Sequence, residues 1–380
     1  MPAAIETEWS PPLAESPSHS SPSAQIEWEL VDCLLCGGGD FDPVVESRDF
    51  TTASEFTFSV VACRDCGLAF TNPRPTPECI GRFYPSDYGP HAGHEWSDGW
   101  MALLKRRFER AVLRTRFGYG PQPAPAADRL MSVLGRASIR GRRRRAAWIP
   151  FRGRGRLLDF GCGAARFGRL MREYGWRVEG VDVSGDVAER TARAAGFPVH
   201  VGSLPHADIR PESFDVVTMW ASLEHVHDPR SVVAGAYDVL RPGGMLLVCV
   251  PNIASWAARR FGAAWWGLEL PRHLVHFTPQ TLRGLLDREG FRITRLEHIG
   301  RDGWLRRSAR RAAAVGRVHP VLAACRWKPA ALAASRWTEW TGRAESLLVW
   351  AEKGHGSKRC QAPLPERPEG CFAQRCLTPF

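Results

Sequence analysis

The stretch RLLDFGCGAARFGRLMR, residues 156–172, decides the fold. An apolar run leads into Asp159, a G-x-G turn follows at Gly161 and Gly163, and a helical pattern opens near Ala165. Glycine has no Cβ, so the backbone at such a turn can bend sharply and approach a ligand closely. Open α/β sheets bind their ligands at this place, beyond the carboxyl end of the first strand. A G-x-G alone has little specificity. Arg166 occupies the position of the third glycine in a dinucleotide fingerprint, so the usual seat for a pyrophosphate is missing.

The continuation supplies the specificity. A second strand-like run, RVEGVDVS, ends in Asp182, 19 residues after Gly163, where a carboxylate can accept both hydroxyls of a ribose. PVHVGS predicts a third strand ending at Ser203 and Leu204, SFDVVTMW a fourth ending at Trp220, and GMLLVCV a fifth running into Pro251 and Asn252. Strand and helix signals alternate from Arg156 to about Gly300, the pattern of a parallel sheet covered by helices. Residues 301–345 read as two helices rich in Ala, Arg and Trp, followed by the strand-like SLLVWAEK at 346–353.

Five runs, D-F-G-C-G at 159–163, G-V-D-V-S at 180–184, S-F-D-V-V at 213–217, L-E-H-V-H-D-P at 223–229 and L-R-P-G-G at 240–244, resemble the class I S-adenosylmethionine-dependent methyltransferases in sequence and order. P-R-H-L-V-H-F-T-P at 271–279, with T-N-P-R-P and F-Y-P-S-D-Y near the N-terminus, extends the resemblance to a bacterial subgroup that joins a zinc ribbon to a ubiquinone-biosynthesis-like methyltransferase domain. The resemblance implies an α/β fold: a seven-stranded Rossmann-like sheet with a final antiparallel hairpin from FRITRLEHIG and SLLVWAEK, and a small N-terminal zinc-ribbon module. It also implies S-adenosyl-L-methionine as cofactor. Asp159, Gly161 and Gly163 would line its methionine end, Asp182 its ribose, and Val183, Ser203 and Leu204 its adenine, with Trp220 beside the sulfonium.

Outward from this core the chain divides by composition. Residues 1–28, rich in Pro, Ser and Ala, are expected to be a disordered tail, because their burial could not offset the entropy of ordering them. Residues 29–90 hold C-L-L-C-G at 33–37 and C-R-D-C-G at 63–67 among short β-prone runs. Two C-x-x-C knuckles make a closed four-thiolate site, so Cys33, Cys36, Cys63 and Cys66 are expected to hold a structural Zn2+ that performs no chemistry. Cys79, Cys162, Cys249 and Cys325 lack partners at ligand spacing and read as core or loop residues. Residues 91–155 read as a basic connector of two helices about a Pro-rich hinge, residues 156–353 as the methyltransferase domain with the 301–345 insertion, and 354–380 as a second disordered tail.

Charge is concentrated as well. The chain of 380 residues carries +11, but residues 101–156 hold sixteen Lys or Arg against Glu109 and Asp128, leaving −3 for the other 324. Such a block suits a phosphate-bearing partner, an anionic membrane face or nucleic acid, or is simply a solvated linker helix. No run of 18 apolar residues occurs, and the N-terminus has acids and prolines where a secretory signal needs a basic start and an apolar stretch. A cytoplasmic protein is expected, with peripheral contact at the inner membrane face as an extension.

Methyl transfer from a sulfonium needs an aligned acceptor and a base for its proton. His225 is the expected base, because histidine titrates near neutrality and this one follows the fourth strand; Glu224 beside it would orient the ring or bind a cation, and His276 joins them from the later loop. His227 and His273 read as surface or capping residues. Some relatives bind a divalent metal through E-x-x-E-H and a later His; here Ala221 replaces the first Glu. The loop 255–277, with Trp256, Trp265, Trp266, Arg259, Arg260 and Arg272, reads either as a grip on a planar or anionic acceptor or as a packed lid. The expected acceptor is a small molecule, an oxygen of a glycan, lipid or secondary-metabolite precursor. Rival readings are an RNA methyltransferase, in which ribbon and connector hold a phosphate backbone, and a non-catalytic zinc-ribbon interaction protein.

Overall fold

The run of buried Leu157, Leu158, Asp159 and Phe160 forms a central strand, and six further strands pair around it in the computed structural model. The structure describes residues 26–52, 55–85, 88, 100–120, 124–138, 149–316 and 319–354. The strands are β1 (Trp28–Glu29), β2 (Phe41–Arg48), β3 (Thr57–Cys63), β4 (Ala69–Thr71), β5 (Arg74–Pro75), β6 (Arg156–Phe160), β7 (Arg177–Asp182), β8 (Val199–Val201), β9 (Phe214–Trp220), β10 (Leu240–Pro251), β11 (Val275–His276), β12 (Phe291–Ile299) and β13 (Ser346–Lys353). The main sheet has the order β12-β13-β10-β9-β6-β7-β8. Strands β6 to β10 run parallel, and β13 lies antiparallel between β10 and β12. This is the seven-stranded Rossmann-like sheet with the closing hairpin that the sequence implies.

The order reverses at β6, which has β7 on one side and β9 on the other, so the tips of these strands open a crevice at the carboxyl edge. The helices that return each strand are set by local chemistry. Ser184 accepts from Val187 N and starts helix Gly185–Ala195, which ends at Gly196 with φ 67°. Asp228 caps Pro229–Val239 in the same way, and a reciprocal Thr278–Thr281 box starts Pro279–Arg288.

The N-terminal half is fastened to this sheet. Strand β11, from the loop after β10, completes a four-stranded antiparallel sheet of order β11-β4-β3-β2, and Leu35, Val61 and Phe70 share one apolar core with Leu158, Val217 and Leu246. The two connector helices, Trp100–Phe117 and Ala126–Ser138, lie either side of the Pro-rich segment. Leu113 and Tyr119 bury against Leu157, Trp176 and Val178, and Tyr119 Oη accepts from Trp176 Nε1 at 2.8 Å.

Three expectations need correction. The tail expected to reach residue 28 stops earlier, since Trp28 pairs with Pro75 and its ring packs among Phe56, Phe58 and Phe83; residues 1–25 lie outside the described residues. The insertion 301–345 contains three helices, Asp302–Ala314, Pro320–Ala324 and Lys328–Trp340, because Pro320 and Pro329 each restart a helix at its first turn. The third strand ends at Val201, short of Ser203 and Leu204. The expected tail from 354 onward lies outside the described residues apart from Gly354.

Candidate active site

The turn after β6 is stitched to the tip of β7. Gly161 and Cys162 donate their N–H groups to Val181 O at 2.8 and 3.1 Å, and Gly163 N donates to Asp182 Oδ2 at 2.9 Å. Ser184 N donates to the other carboxylate oxygen at 3.1 Å, which fixes the plane of Asp182. Gly161 has φ 67°, and a Cβ there would lie 2.5 Å from Ser222 Cβ, so only glycine leaves this gap between the β6 and β9 tips. Val183, next to Asp182, is 81% exposed, an apolar side chain with no protein cover at the crevice.

Other residues named from the sequence fall into two groups. Asp159 is buried at the end of β6 and accepts from Thr218 Oγ1 at 2.7 Å; burial pushes its carboxyl up to about 7. Trp220 ends β9, with its ring 5.1 Å from that of Phe167. Ser203 is exposed beyond β8, whereas the Leu204 side chain points into the core beneath Gly235, which leaves only its backbone for a ligand.

The segment after β9 concentrates buried polar groups that lack hydrogen-bond partners: Trp220 Nε1, Ser222 Oγ and both carboxyl oxygens of Glu224. Buried polar atoms are normally paired, so an alternating row of three such residues at a sheet edge marks a place where a ligand or water belongs. Glu224 is fully buried, and burial outweighs the pull of its own backbone N–H, pushing the carboxyl up to about 8. It is therefore mostly protonated at neutral pH.

His225 Nδ1 lies 2.9 Å from both Arg272 O and Tyr84 Oη. A carbonyl oxygen only accepts, so Nδ1 carries the proton and Nε2 keeps its lone pair. Desolvation, with help from nearby His273, pushes this imidazole down to about 3, so it is neutral. His273 has the same form: Nδ1 donates to Gly267 O at 2.9 Å, and Nε2 lies 4.0 Å from Glu224 Oε1 and 3.7 Å from Glu269 Oε2. Glu224, His225 and His273 bring their proton- or ion-binding atoms within 4.8 Å of one another.

His276, grouped with Glu224 and His225 from the sequence, stands outside that set. It lies on β11, and its Nε2 is 3.2 Å from Thr71 Oγ1, whose own proton goes to His273 O. His276 must therefore donate through Nε2, which removes that nitrogen as a base or ligand. His273, read as a surface or capping residue, takes its place in the cluster. His227 donates to Pro75 O at 3.0 Å, so it is tied to β5.

Two readings of the 255–277 loop separate by residue. Arg272 is not available to grip an acceptor: it is fully buried and pairs in bidentate fashion with Asp49, at 2.9 and 2.7 Å, while also donating to Phe83 O at 2.7 Å. Burial works against ionisation of Asp49, but the hydrogen bonds from Arg272 and Thr52 outweigh it and hold the carboxyl below its usual range. Trp265 is core, and the Arg307 and Arg311 guanidinium groups lie over the ring of Trp266. Arg272 and Trp265 are thus packed into the fold, while Arg259 and Arg260 of the same loop are exposed.

Residues missed from the sequence complete the wall. Tyr84 reaches His225, and Tyr88 donates to Glu269 at 2.9 Å. Both belong to the F-Y-P-S-D-Y run, so a signal was present; Asp49 and Glu269 carried none.

In the N-terminal module the four knuckle cysteines converge. Gly37 N donates to Cys33 O and Cys33 N donates to Gly38 O, and Gly67, Cys63 and Leu68 repeat the pattern at matching distances. Gly37 and Gly67 both have positive φ, 79° and 73°. The four Sγ atoms lie within 4.8 Å of one another, with Cys33–Cys66 and Cys36–Cys63 at 3.4 Å. A tetrahedral Zn–S bond of about 2.3 Å sets sulfurs about 3.8 Å apart, so the cluster is compatible with a zinc module.

Residues 128–296 match the family described as "Methyltransferase domain". The chain is 36% identical over 133 residues to the ubiquinone biosynthesis O-methyltransferase of Idiomarina loihiensis, covering 33% of this chain and 51% of that protein. It is 39% identical over 121 residues to the enzyme of the same name from Paracidovorax citrulli, covering 28% and 50%. The chain thus spans about half the length of these relatives. A solved structure, an S-adenosylmethionine-dependent methyltransferase from Mesorhizobium loti, is 24% identical with a TM-score of 0.39, over 55% of this chain and 95% of that one. Strand order, the Gly163–Asp182 link and the family match agree: the chain carries a class I S-adenosylmethionine-dependent methyltransferase domain.

Proposed function

We propose that this protein transfers a methyl group from S-adenosylmethionine to an oxygen of a small-molecule acceptor, a glycan, lipid or secondary-metabolite precursor. The observation that carries the reading is the unpartnered row Trp220, Ser222 and Glu224, set across the Gly161 turn from the fixed Asp182 carboxylate. Asp182 would hold the ribose hydroxyls, Val183 would cover the adenine with Ser203 and the Leu204 backbone at its rim, and Asp159 with Gly161 and Gly163 would meet the methionine end. The sulfonium supplies an already activated methyl group, so the chain's part is to align the acceptor and take its proton. Neutral His225, with its Nδ1–H anchored, offers Nε2 as the base, and the free lone pair of neighbouring His273 Nε2 is a second acceptor for that proton. The O-methyltransferase names of the relatives support oxygen over nitrogen or carbon.

We infer in addition that Cys33, Cys36, Cys63 and Cys66 hold one structural zinc. The test of the main reading is calorimetry with S-adenosylmethionine and its demethylated product, on the wild type and Asp182→Ala. Loss of two charge-assisted hydrogen bonds should weaken binding by about 100-fold or more. Mass spectrometry of metabolites from cells with and without the protein should then reveal a species differing by one methyl. Absence of binding heat in the wild type would refute the proposal, and methylated RNA in place of a metabolite would replace its acceptor.

A further inference from the structure

The insertion between β12 and β13 exposes large apolar side chains that the catalytic reading leaves without a role. Helix Lys328–Trp340 buries Ala331, Ser335 and Thr338 and turns Pro329, Leu332, Ala333, Arg336 and Trp340 outward, positions that recur every three to four residues along one face. Trp340 is 80% exposed, and Trp327, which caps the start of the helix, is 68% exposed; Val321 on the preceding helix is also exposed. A tryptophan open to water on a helix face is unusual for a surface that meets only solvent, because its ring loses most by exposure.

Charge on the same segment is one-sided. Arg326, Lys328, Arg336 and Arg343 are exposed, and the single acid in residues 319–343, Glu339, turns inward, accepting from Gly300 N at 2.9 Å. Indole rings with an apolar body and a polar edge, ringed by cations and free of outward acids, match the headgroup zone of an anionic bilayer. RNA would call for paired stacking platforms along a groove, and the two most exposed rings here, Trp327 and Trp340, stand at opposite ends of a 13-residue helix.

Placement gives the patch a meaning. Ile299 and Ser346, the two ends of the insertion, pair with each other, and Ser346 also pairs with Pro251 at the carboxyl end of β10. The insertion therefore springs from the sheet edge that carries Trp220 and Glu224. Trp337 packs edge-on against Trp256, 5.9 Å between ring centres, and so connects the exposed face to the 255–277 loop.

We propose that the outer face of residues 320–343 docks on anionic membrane lipid and that the methyl acceptor is an amphiphile borne by that membrane. The second half rests on the methyltransferase reading above; the docking does not.

The experiment is flotation of the full chain with vesicles of phosphatidylcholine alone or of phosphatidylcholine with one third phosphatidylglycerol. The wild type is expected to float with the anionic vesicles only. Trp327→Ser/Trp340→Ser should weaken that retention by about tenfold, and Arg326→Glu/Arg336→Glu should do the same, since each buried indole or neutralised cation contributes about a factor of several. All four side chains are exposed, so the fold is untouched, and calorimetry of S-adenosylmethionine on the same preparations should not change. Failure to float with anionic vesicles, or flotation unaffected by both double variants, overturns the docking. Sedimentation of the wild type as a dimer that the tryptophan variants dissolve also overturns it, by showing a second copy to be the occupant. If vesicles are bound but no cofactor heat appears, docking stands and the methyltransferase reading falls.

Discussion

Replacing Arg272 tests whether the N-terminal module and the acceptor-side loop are one energetic unit. The side chain is fully buried and makes four hydrogen bonds: two to Asp49, one to Phe83 O and one to Leu270 O. Arg272→Met would leave a buried carboxylate with only Thr51 N and Thr52 Oγ1 as partners and Phe83 O without its donor. Breaking a buried pair on one side costs about 3–5 kcal/mol, and the stranded carbonyl adds about 1. Asp49→Leu should cost about 3, at the lower end, because Glu269 lies 3.6 Å from Arg272 Nε and tempers the stranded cation. With both charges gone the buried desolvation penalty disappears, so the double variant should lie about 3 kcal/mol above the sum of the singles. Urea unfolding at pH 7 measures each value. The coupling should survive high salt, since a pair shut away from water is little screened. Additive losses, or a coupling that fades with salt, would show that the two segments are not held by this pair.

The remaining expectations concern the crevice and the cysteines. Gly161→Ala forces a Cβ to 2.5 Å from Ser222 Cβ at a positive φ, so it should cost about 1–3 kcal/mol in thermal unfolding and weaken cofactor binding measured by calorimetry. Glu224 has its folded value raised to about 8 against an ordinary 4.5; a raised carboxyl means that the unfolded chain loses its proton first, so stability is lost as pH rises through that window. Glu224→Gln should remove this loss, and the gap between variant and wild type should widen by up to about 1.4 kcal/mol per pH unit between pH 5 and 8 in urea titrations; a gap independent of pH would show the carboxyl to be ionised throughout. Metal analysis of the wild type should find one equivalent of zinc and Cys66→Ser should abolish it; retention of a full equivalent in the variant would exclude this site.

What the sequence made legible was local or followed a rule of spacing. Asp182 and Gly163 are 19 residues apart, yet they could be placed together because a strand, a turn, a helix and a strand must bring neighbouring parallel tips side by side. The cysteine pairs were legible because a knuckle is four residues long and carries its own glycine. The Arg272–Asp49 pair spans 223 residues of chain with no pattern around Asp49, and only the completed fold brings the two together. Exchange of His276 for His273 has a similar cause: β11 is two residues long, too short to leave an alternation, and its pairing with β4 decides which histidine turns inward. The short helix Pro320–Ala324 escaped notice for want of a second turn.

These contacts share a direction. From the N-terminal module, Arg74 donates to His227 O at 2.9 Å, Thr71 N to Leu274 O at 2.9 Å, and Tyr84 and Tyr88 meet His225 and Glu269. Each lands on the loop after β9 or the loop after β10, which bear the candidate base, and none touches the β6–β7 turn where Asp182 is fixed. Two functions are thereby separated in one crevice. The half proposed to take the cofactor is held by hydrogen bonds between the tips of β6 and β7, whereas the half that bears the candidate base is also tied to the N-terminal module in which four thiols converge. Loosening the cysteine cluster should accordingly reach the tyrosines and His225 first, raising the acceptor KM and lowering kcat while leaving affinity for S-adenosylmethionine near its starting value. On this reading the cysteine-bearing module serves to brace the loops that bear the candidate base.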